Sequence, residues 1–260
     1  MRITLIGSGN VATHLGAALK NAGHYIAQVY SPNLQHAALL AYHIKAEAID
    51  NLQQIDPAVD VFIISVKDDA IESIVQQLAP HNKLVLHTSG STDIQLLLKY
   101  TAQAGVFYPL QTFSRNKEIN FREVPLCIEG ATAAIIKQIK ELAQTISNNI
   151  YDVDSSQRRI LHLAAVFACN FPNYLYNIAQ NLLTQHQLDF EMLKPLITET
   201  ADKVQHQLPS AVQTGPAVRN DELTMNKHLE MLHNEPLLQQ IYQLLSQGII
   251  KMDKGSNADK

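Results

Sequence analysis

Several stretches of the chain have residue types and spacings that could do chemistry. The first is Gly7-Ser8-Gly9-Asn10-Val11-Ala12, a G-x-G-x-x-A pattern. In such a turn the first glycine permits a sharp reversal, the second lets backbone approach a pyrophosphate, and the small alanine lets a helix pack closely on a strand. Amides at the helix N-terminus then face the phosphates. Contacts to a dinucleotide are therefore expected from Gly7, Ser8, Gly9, Asn10, Val11 and Ala12. A glycine-rich packing turn would show the same letters, but here a strand-like run, RITLI, precedes them and a helical pattern, NVATHLGAALKNAG, follows.

The second stretch, VYSPN at 29–33, lies where a dinucleotide-binding chain usually places an acid. A carboxylate there would accept the adenosine ribose hydroxyls and repel a 2′-phosphate. With Ser31 in its place, NADP is expected in preference to NAD. Ser31 and Asn33 could donate hydrogen bonds to the phosphate; alternatively they form a turn around Pro32 and cap the next helix.

Further along, His87-Thr88-Ser89-Gly90-Ser91 offers a tight turn at Gly90 and hydroxyls able to hold a small polar substrate, although Ser91 could equally cap a helix. In RRILHLAAVFACNFPNYLYNIAQNLLTQH, read as one long helix, successive residues turn by about 100°. With His162 at zero, Asn173 falls near ~20°, Asn177 near ~60° and Asn170 near ~80°, one polar arc on an otherwise apolar helix. Pro172 cannot donate to the Ala168 carbonyl and should bend the helix or free that oxygen. The alternative is a satisfied polar seam in a helical core or dimer interface. Arg219, in TGPAVRND, suits a substrate carboxylate or a pairing with Asp221 or with another subunit. The histidines show no H-x-x-x-H or H-E-x-x-H spacing, so no metal site is expected.

The elements that must position these groups are of two kinds. RITLIG, YIAQVY, VFIISV, KLVLHTS, AGVFYPL, VPLCIEG and NIYDV read as strands alternating with helical patterns, which predicts a parallel sheet covered on both faces. From Ser155 onward only helical patterns remain. The fold class is thus α/β, a Rossmann-type parallel-sheet domain over 1–152 followed by an all-α domain over 153–253, with a disordered tail at 254–260. A charge of −4 without a basic cluster excludes nucleic acid as a partner, and no apolar run reaches the roughly 20 residues of a membrane span. Two distant cysteines make no disulfide framework, and a cytoplasmic location is expected.

Taken in order, GSGNVATHL, FIISVKDDAI, HTSGS, FYPLQTFS, LHLAAVFACNFPNYLY and TGPAVRND resemble a family of Rossmann-like NADP oxidoreductases with a C-terminal helical domain of unknown function. The family lies in the superfamily of 6-phosphogluconate dehydrogenase, pyrroline-5-carboxylate reductase and prephenate dehydrogenase, and the resemblance spans nearly the whole chain. It implies that Ser65, Val66, Lys67 and Asp68 lie along the cofactor; read from the residues alone, Asp68 and Asp69 are instead caps of the next helix. It further implies that Tyr108, in the loop Phe107-Tyr108-Pro109-Leu110-Gln111-Thr112, stands at the His position of the His-Pro pair of prephenate dehydrogenases, and that the helix bearing His162 and Asn170 faces the nicotinamide. Two departures stand out: Pro32 occupies a position that is often Arg in relatives, and Val166 occupies the place of the Lys used by hydroxyacid dehydrogenases.

The reading is an NADP-dependent oxidoreductase moving a hydride between nicotinamide and a small carbonyl or imine bound between the domains. His162, Asn170, Tyr108 and Ser89 are the expected catalytic residues. Thr88, Gln111, Asn173 and Arg219 are expected to hold the substrate, and a homodimer is expected to form through the helical domain. The alternatives are a nucleotide-sensing or scaffold protein without turnover, and hydride exchange with a flavin or deazaflavin.

Overall fold

A computed structural model describes residues 1–114 and 116–258. By compactness the chain divides into Met1–Tyr174 and Leu175–Lys260.

In the first unit the strands are β1 (Arg2–Ile6), β2 (Tyr25–Tyr30), β3 (Glu47–Ile49), β4 (Val61–Ile64), β5 (Leu84–His87), β6 (Ala104–Pro109), β7 (Leu126–Gly130) and β8 (Ile150–Asp152). The helices among them are α1 (Asn10–Asn21), α2 (Leu34–Ile44), α3 (Ile71–Leu78), α4 (Gln95–Leu98) and α5 (Ala133–Gln144). The strands form one sheet in the order β3-β2-β1-β4-β5-β6-β7-β8. Strand runs are almost unbroken in apolar residues because both faces are covered. Ile3, Leu5, Ile63 and Leu86 pack with α1, α2 and α5 on one side, and Ile6, Phe62, Ile64 and Val85 with α3 on the other.

Two features depart from the expected parallel sheet. The strand β3 is only three residues, too short to show a period, and pairs with β2 through Gln28 and Glu47. The pairing of β6 with β7 is antiparallel. A parallel return needs a crossover element, and among the described residues of 110–125 the one regular element is a 3-10 turn at Phe121–Glu123. The chain order reverses at β1 and β4, so a crevice opens beyond the carboxyl ends of those two strands.

After β8 the expected single helix is interrupted: α6 (Ser155–Ala165) passes through a π-helical turn at Val166–Asn170 into α7 (Phe171–Gln185). Pro172 removes one amide from the ladder, and the wider turn is how the backbone adjusts to its loss. The second unit contains the rest of α7, α8 (Lys194–His206), the turn-rich 208–221, α9 (Glu222–Met231) and α10 (Pro236–Ala258). Backbone helix therefore continues into the expected tail as far as Ala258, and residues 259–260 lie outside the described residues. Among the described residues no helix is long and apolar enough to cross a membrane.

Candidate active site

The glycines of the phosphate loop have separate tasks. Gly7 sits at φ +119°, and a Cβ there would lie 2.2 Å from the Ser65 carbonyl oxygen, so only glycine lets the turn pass under β4. Its amide donates to the Tyr30 carbonyl at 2.8 Å, closing the crevice floor. Gly9 is the N-cap of α1 at φ −77°, and a Cβ there would meet nothing within 4 Å. Its openness is toward the groove, which is the room a phosphate needs. Ala12 is fully buried and Gly16 has Leu5 against it, so α1 lies close on β1. Asn10 donates its side-chain amide to the Phe113 carbonyl at 2.9 Å.

A groove of about 890 Å³ runs from this loop, lined by Ser8, Gly9, Asn10 and Val11 at its phosphate-loop edge. At one end are Ser31, Pro32 and His36. Ser31 is 5% exposed, its amide donates to the Ile49 carbonyl, and its hydroxyl accepts from the Asn33 amide. Asn33 caps α2, its side-chain oxygen accepting from the Gln35 and His36 amides at 3.0 and 3.2 Å. The turn-and-cap alternative thus describes Asn33, which is not among the groove's lining residues. His36 was not legible as a site residue in the sequence; its one signal is its place three residues after the cap, in the first turn of a helix at the crevice.

The middle of the groove is lined by Ser65, Val66, Lys67, Thr88, Ser89 and Gly90. Thr88 is fastened to the sheet, its hydroxyl 3.2 Å from the Ile64 carbonyl oxygen and 3.3 Å from Ser65 Oγ. Ser89, rather than Ser91, caps the turn: its hydroxyl accepts from the Ser91 and Thr92 amides at 3.1 and 2.9 Å. Asp68 accepts a hydrogen bond from the Ser91 hydroxyl, joining the loops after β4 and β5, instead of capping α3 as expected. Burial, reinforced by the Arg158 charge, drives His87 down to about 3, so it is a neutral ring. Its Nδ1 accepts from the Ser89 amide at 3.2 Å.

At the far end are Tyr108, Gln111 and His162. Tyr108 Oη lies 3.1 Å from His162 Nδ1, with the rings edge-on at 6.1 Å between centroids. Gly90 completes the cluster, since a Cβ on it would come within 2.7 Å of His162 Nδ1 and 2.9 Å of Tyr108 Cζ. Burial pushes the Tyr108 phenol up to about 12, with Cys127 adding to the rise and Arg158 opposing it. A phenol raised in this way keeps its proton at neutral pH and serves as a hydrogen-bonding group. Gln111 is exposed and accepts from the Thr112 amide at 2.7 Å.

Asn170 and Asn173 are exposed and do not line the groove, whereas His162 does. A constant 100° per residue holds within an α-helix, and the π turn between His162 and Asn173 adds a residue to one turn and rotates everything after it. Arg219 is exposed in the second unit, and the bonds of Asp221 go to the Thr224 amide and hydroxyl at 3.1 and 2.8 Å. Among the described residues no three His, Cys, Asp or Glu gather as metal ligands would.

Sequence reasoning also missed a buried ion pair. Arg158, fully buried on α6, meets Glu129 on β7 at 2.5 Å. Nothing in the sequence separates Arg158 from its exposed neighbour Arg159.

Comparison with known proteins gives a consistent picture. Residues 2–90 match the family model described as NADP oxidoreductase coenzyme F420-dependent, and residues 124–249 match a domain of unknown function, DUF2520. A solved structure of a presumed NADP oxidoreductase from Bacteroides fragilis is 42% identical, with 96% of this chain and 98% of that chain covered and a TM-score of 0.92. A Thermotoga maritima protein is 20% identical over 98% and 99% of the two chains, TM-score 0.73. An imine reductase from Myxococcus stipitatus, solved with NADP+, shares the fold at 14% identity over 99% and 95% of the chains, TM-score 0.67. A comparison with curated proteins finds no match.

Proposed function

Because the chain belongs to the NADP oxidoreductase family that joins a Rossmann-type domain to this helical domain of unknown function, we propose that it moves a hydride between NADP and a small carbonyl or imine. One observation carries the proposal: a single groove has an open phosphate loop along its edge and the Tyr108–His162 pair at its far end. When bound, the nicotinamide supplies or takes the hydride. The chain's own residues do the rest. Amides of the phosphate loop hold the pyrophosphate, and Ser65 to Lys67 line the path between the phosphates and the reacting end. Tyr108, which retains its proton, donates to His162 Nδ1 and fixes the ring, so that Nε2–H donates a hydrogen bond to the substrate oxygen or nitrogen and polarises the bond that takes the hydride, the proton that completes the reduction coming from solvent. Thr88 and Ser89 bound the substrate on the sheet side. The fold is shared with an imine reductase and a pyrroline-5-carboxylate reductase, which favours a C=N bond as acceptor. The test follows NADPH absorbance against a panel of cyclic imines and small carbonyls. Consumption with one class supports the proposal, and tight binding without consumption by any member would favour a sensing role.

A second reading has one observation behind it, the coenzyme F420 in the description of the N-terminal family model. Hydride exchange with a deazaflavin needs no proton donor for a carbonyl. Oxidation of NADPH by an added deazaflavin, unchanged in His162→Ala, would favour it.

For the cofactor, we place NADP before NAD, because no carboxylate stands at Ser31 and because His36 lines the same end of the groove. Ser31→Asp should weaken NADPH binding about tenfold, or about 1.4 kcal/mol, and leave NADH less affected or tighter. Titration of both cofactors against both proteins decides; a wild type that prefers NADH would reverse the assignment.

The proposed homodimer is supported by the second unit on its own. Among its described residues Ala217 alone is buried, while Leu196, Leu208, Leu223, Leu237 and Leu244 are each more than half exposed. A helical unit without an apolar core of its own needs another surface to cover it. Light scattering should give about twice the 28.9 kDa chain mass at micromolar concentration. A 28.9 kDa particle would rule the dimer out.

A further inference from the structure

We infer that the buried Arg158–Glu129 pair is a positioning device for the Tyr108–His162 contact, holding α6 in register against the sheet and the β5–α4 loop. The inference rests on the reading of that contact as the reacting end of the groove.

The geometry is specific. One guanidinium nitrogen of Arg158 donates to Glu129 Oε2 at 2.5 Å, and the other donates to the Thr92 carbonyl at 2.5 Å and to Ser155 Oγ at 3.0 Å. Ser155 in turn donates to the same Glu129 oxygen at 2.7 Å and accepts from the Ile94 amide at 3.0 Å. Three segments therefore meet at one planar group: β7, the loop between β5 and α4, and the first turn of α6. One turn further along the same face of α6, four residues on, stands His162. It touches Tyr108 on β6 and Gly90 in the same loop that Arg158 grips through Thr92. The sheet face beneath is continuous, because Cys127 pairs with Tyr108 and Glu129 with Val106 across β6 and β7.

Stability alone does not account for a charge in this place. The neighbouring side chains Ile94, Val106, Cys127 and Leu161 are apolar, and buried ion pairs are commonly matched or exceeded in stability by apolar residues of similar volume. What an apolar residue lacks is direction. The rigid fork of an arginine fixes where its partners lie, and sub-ångström placement is what a hydrogen-bonded pair aimed at a substrate requires. The second link between α6 and the loop, Arg159 with Asp93 at 2.8 Å, is exposed and holds its partners weakly.

The experiment replaces both charges together, Arg158→Met with Glu129→Leu, so that no lone buried charge remains, and compares it with Arg158→Lys, which can still reach Glu129 but cannot fork to Thr92. The readouts are thermal melting, NADPH titration and the 15N resonance of the His162 Nδ1, assigned by its loss in His162→Gln. The double variant should fold and bind NADPH as the wild type does, yet lose the hydrogen-bonded Nδ1 signal; Arg158→Lys should retain it in part. A folded double variant whose His162 resonance is unchanged overturns the inference. If the double variant does not fold, an unchanged resonance in Arg158→Lys does the same. Full turnover in His162→Ala would instead remove the function proposed for the contact, and leaves the resonance test standing.

Discussion

Gly9→Val should leave the protein folded and unable to bind NADPH. The backbone of Gly9 is at φ −77° and ψ −172°, a region open to any residue, and a Cβ there meets nothing within 4 Å. Adding a branched side chain therefore strains nothing in the free protein. It fills the space through which a pyrophosphate must approach the first amides of α1, and that contact depends on backbone being uncovered. A loss of at least about a hundredfold in affinity, roughly 2.7 kcal/mol, is expected. The measurement pairs calorimetric titration with melting curves: the unliganded variant should melt with the wild type, but without the rise that NADPH at a hundred times its Kd gives, about 2.7 kcal/mol of stabilisation. Gly7→Ala serves as the contrast, since its Cβ would strike the Ser65 backbone at 2.2 Å and should lower stability itself. Undiminished binding by Gly9→Val would end the assignment of this loop to phosphate.

His162→Ala should lower turnover about a hundredfold or more while NADPH affinity stays within about twofold, the pattern of a group that acts only in the transition state. Its side chain is exposed, so its removal leaves little packing to lose. The one partner affected is Tyr108, 9% exposed, whose hydroxyl loses the ring nitrogen 3.1 Å away. That loss is worth about 1 kcal/mol, too little to unfold the chain. Tyr108→Phe should reproduce part of the effect, because the ring stays in place and only the hydrogen bond to Nδ1 disappears. Unaltered turnover in His162→Ala, with a substrate in hand, would take this pair out of the chemistry. A large fall in melting temperature without a kinetic effect would return His162 to a structural role.

The features that were legible in the sequence are those decided within a few residues. Gly7, Gly9 and Ala12 act through the turn they themselves form, and their pattern between a strand and a helix sufficed. The period of apolar residues identified every strand except β3, whose three residues are too few to show one. The change to helical periods at Ser155 marked where the sheet ends. The absent acid at Ser31 was legible for the same reason, since its place is counted from the end of β2. Capping was harder, because Ser89, Ser91, Asp68 and Asp69 are all competent caps and the choice among them depends on loop conformation.

What the tertiary structure decided is which distant groups meet. Tyr108 and His162 are 54 residues apart, and they touch because α6 is tied to β7 through Arg158 and Glu129 and β7 pairs with β6. Arg158 and Arg159 are adjacent in sequence and opposite in environment, one fully buried on Glu129 and the other exposed on Asp93. Of the arc of His162, Asn170 and Asn173, His162 alone lines the groove, for a local reason. Pro172 widened one turn, and periodic counting cannot pass through a change of period. The sequence by itself determined the α/β class, the order of elements and the phosphate loop, since these follow from backbone preferences and apolar periods acting over one or two turns. The pairing at the reacting end, the depth of Arg158 and the raised phenol of Tyr108 came only with the fold, because burial and electrostatic neighbours are properties of the packed chain.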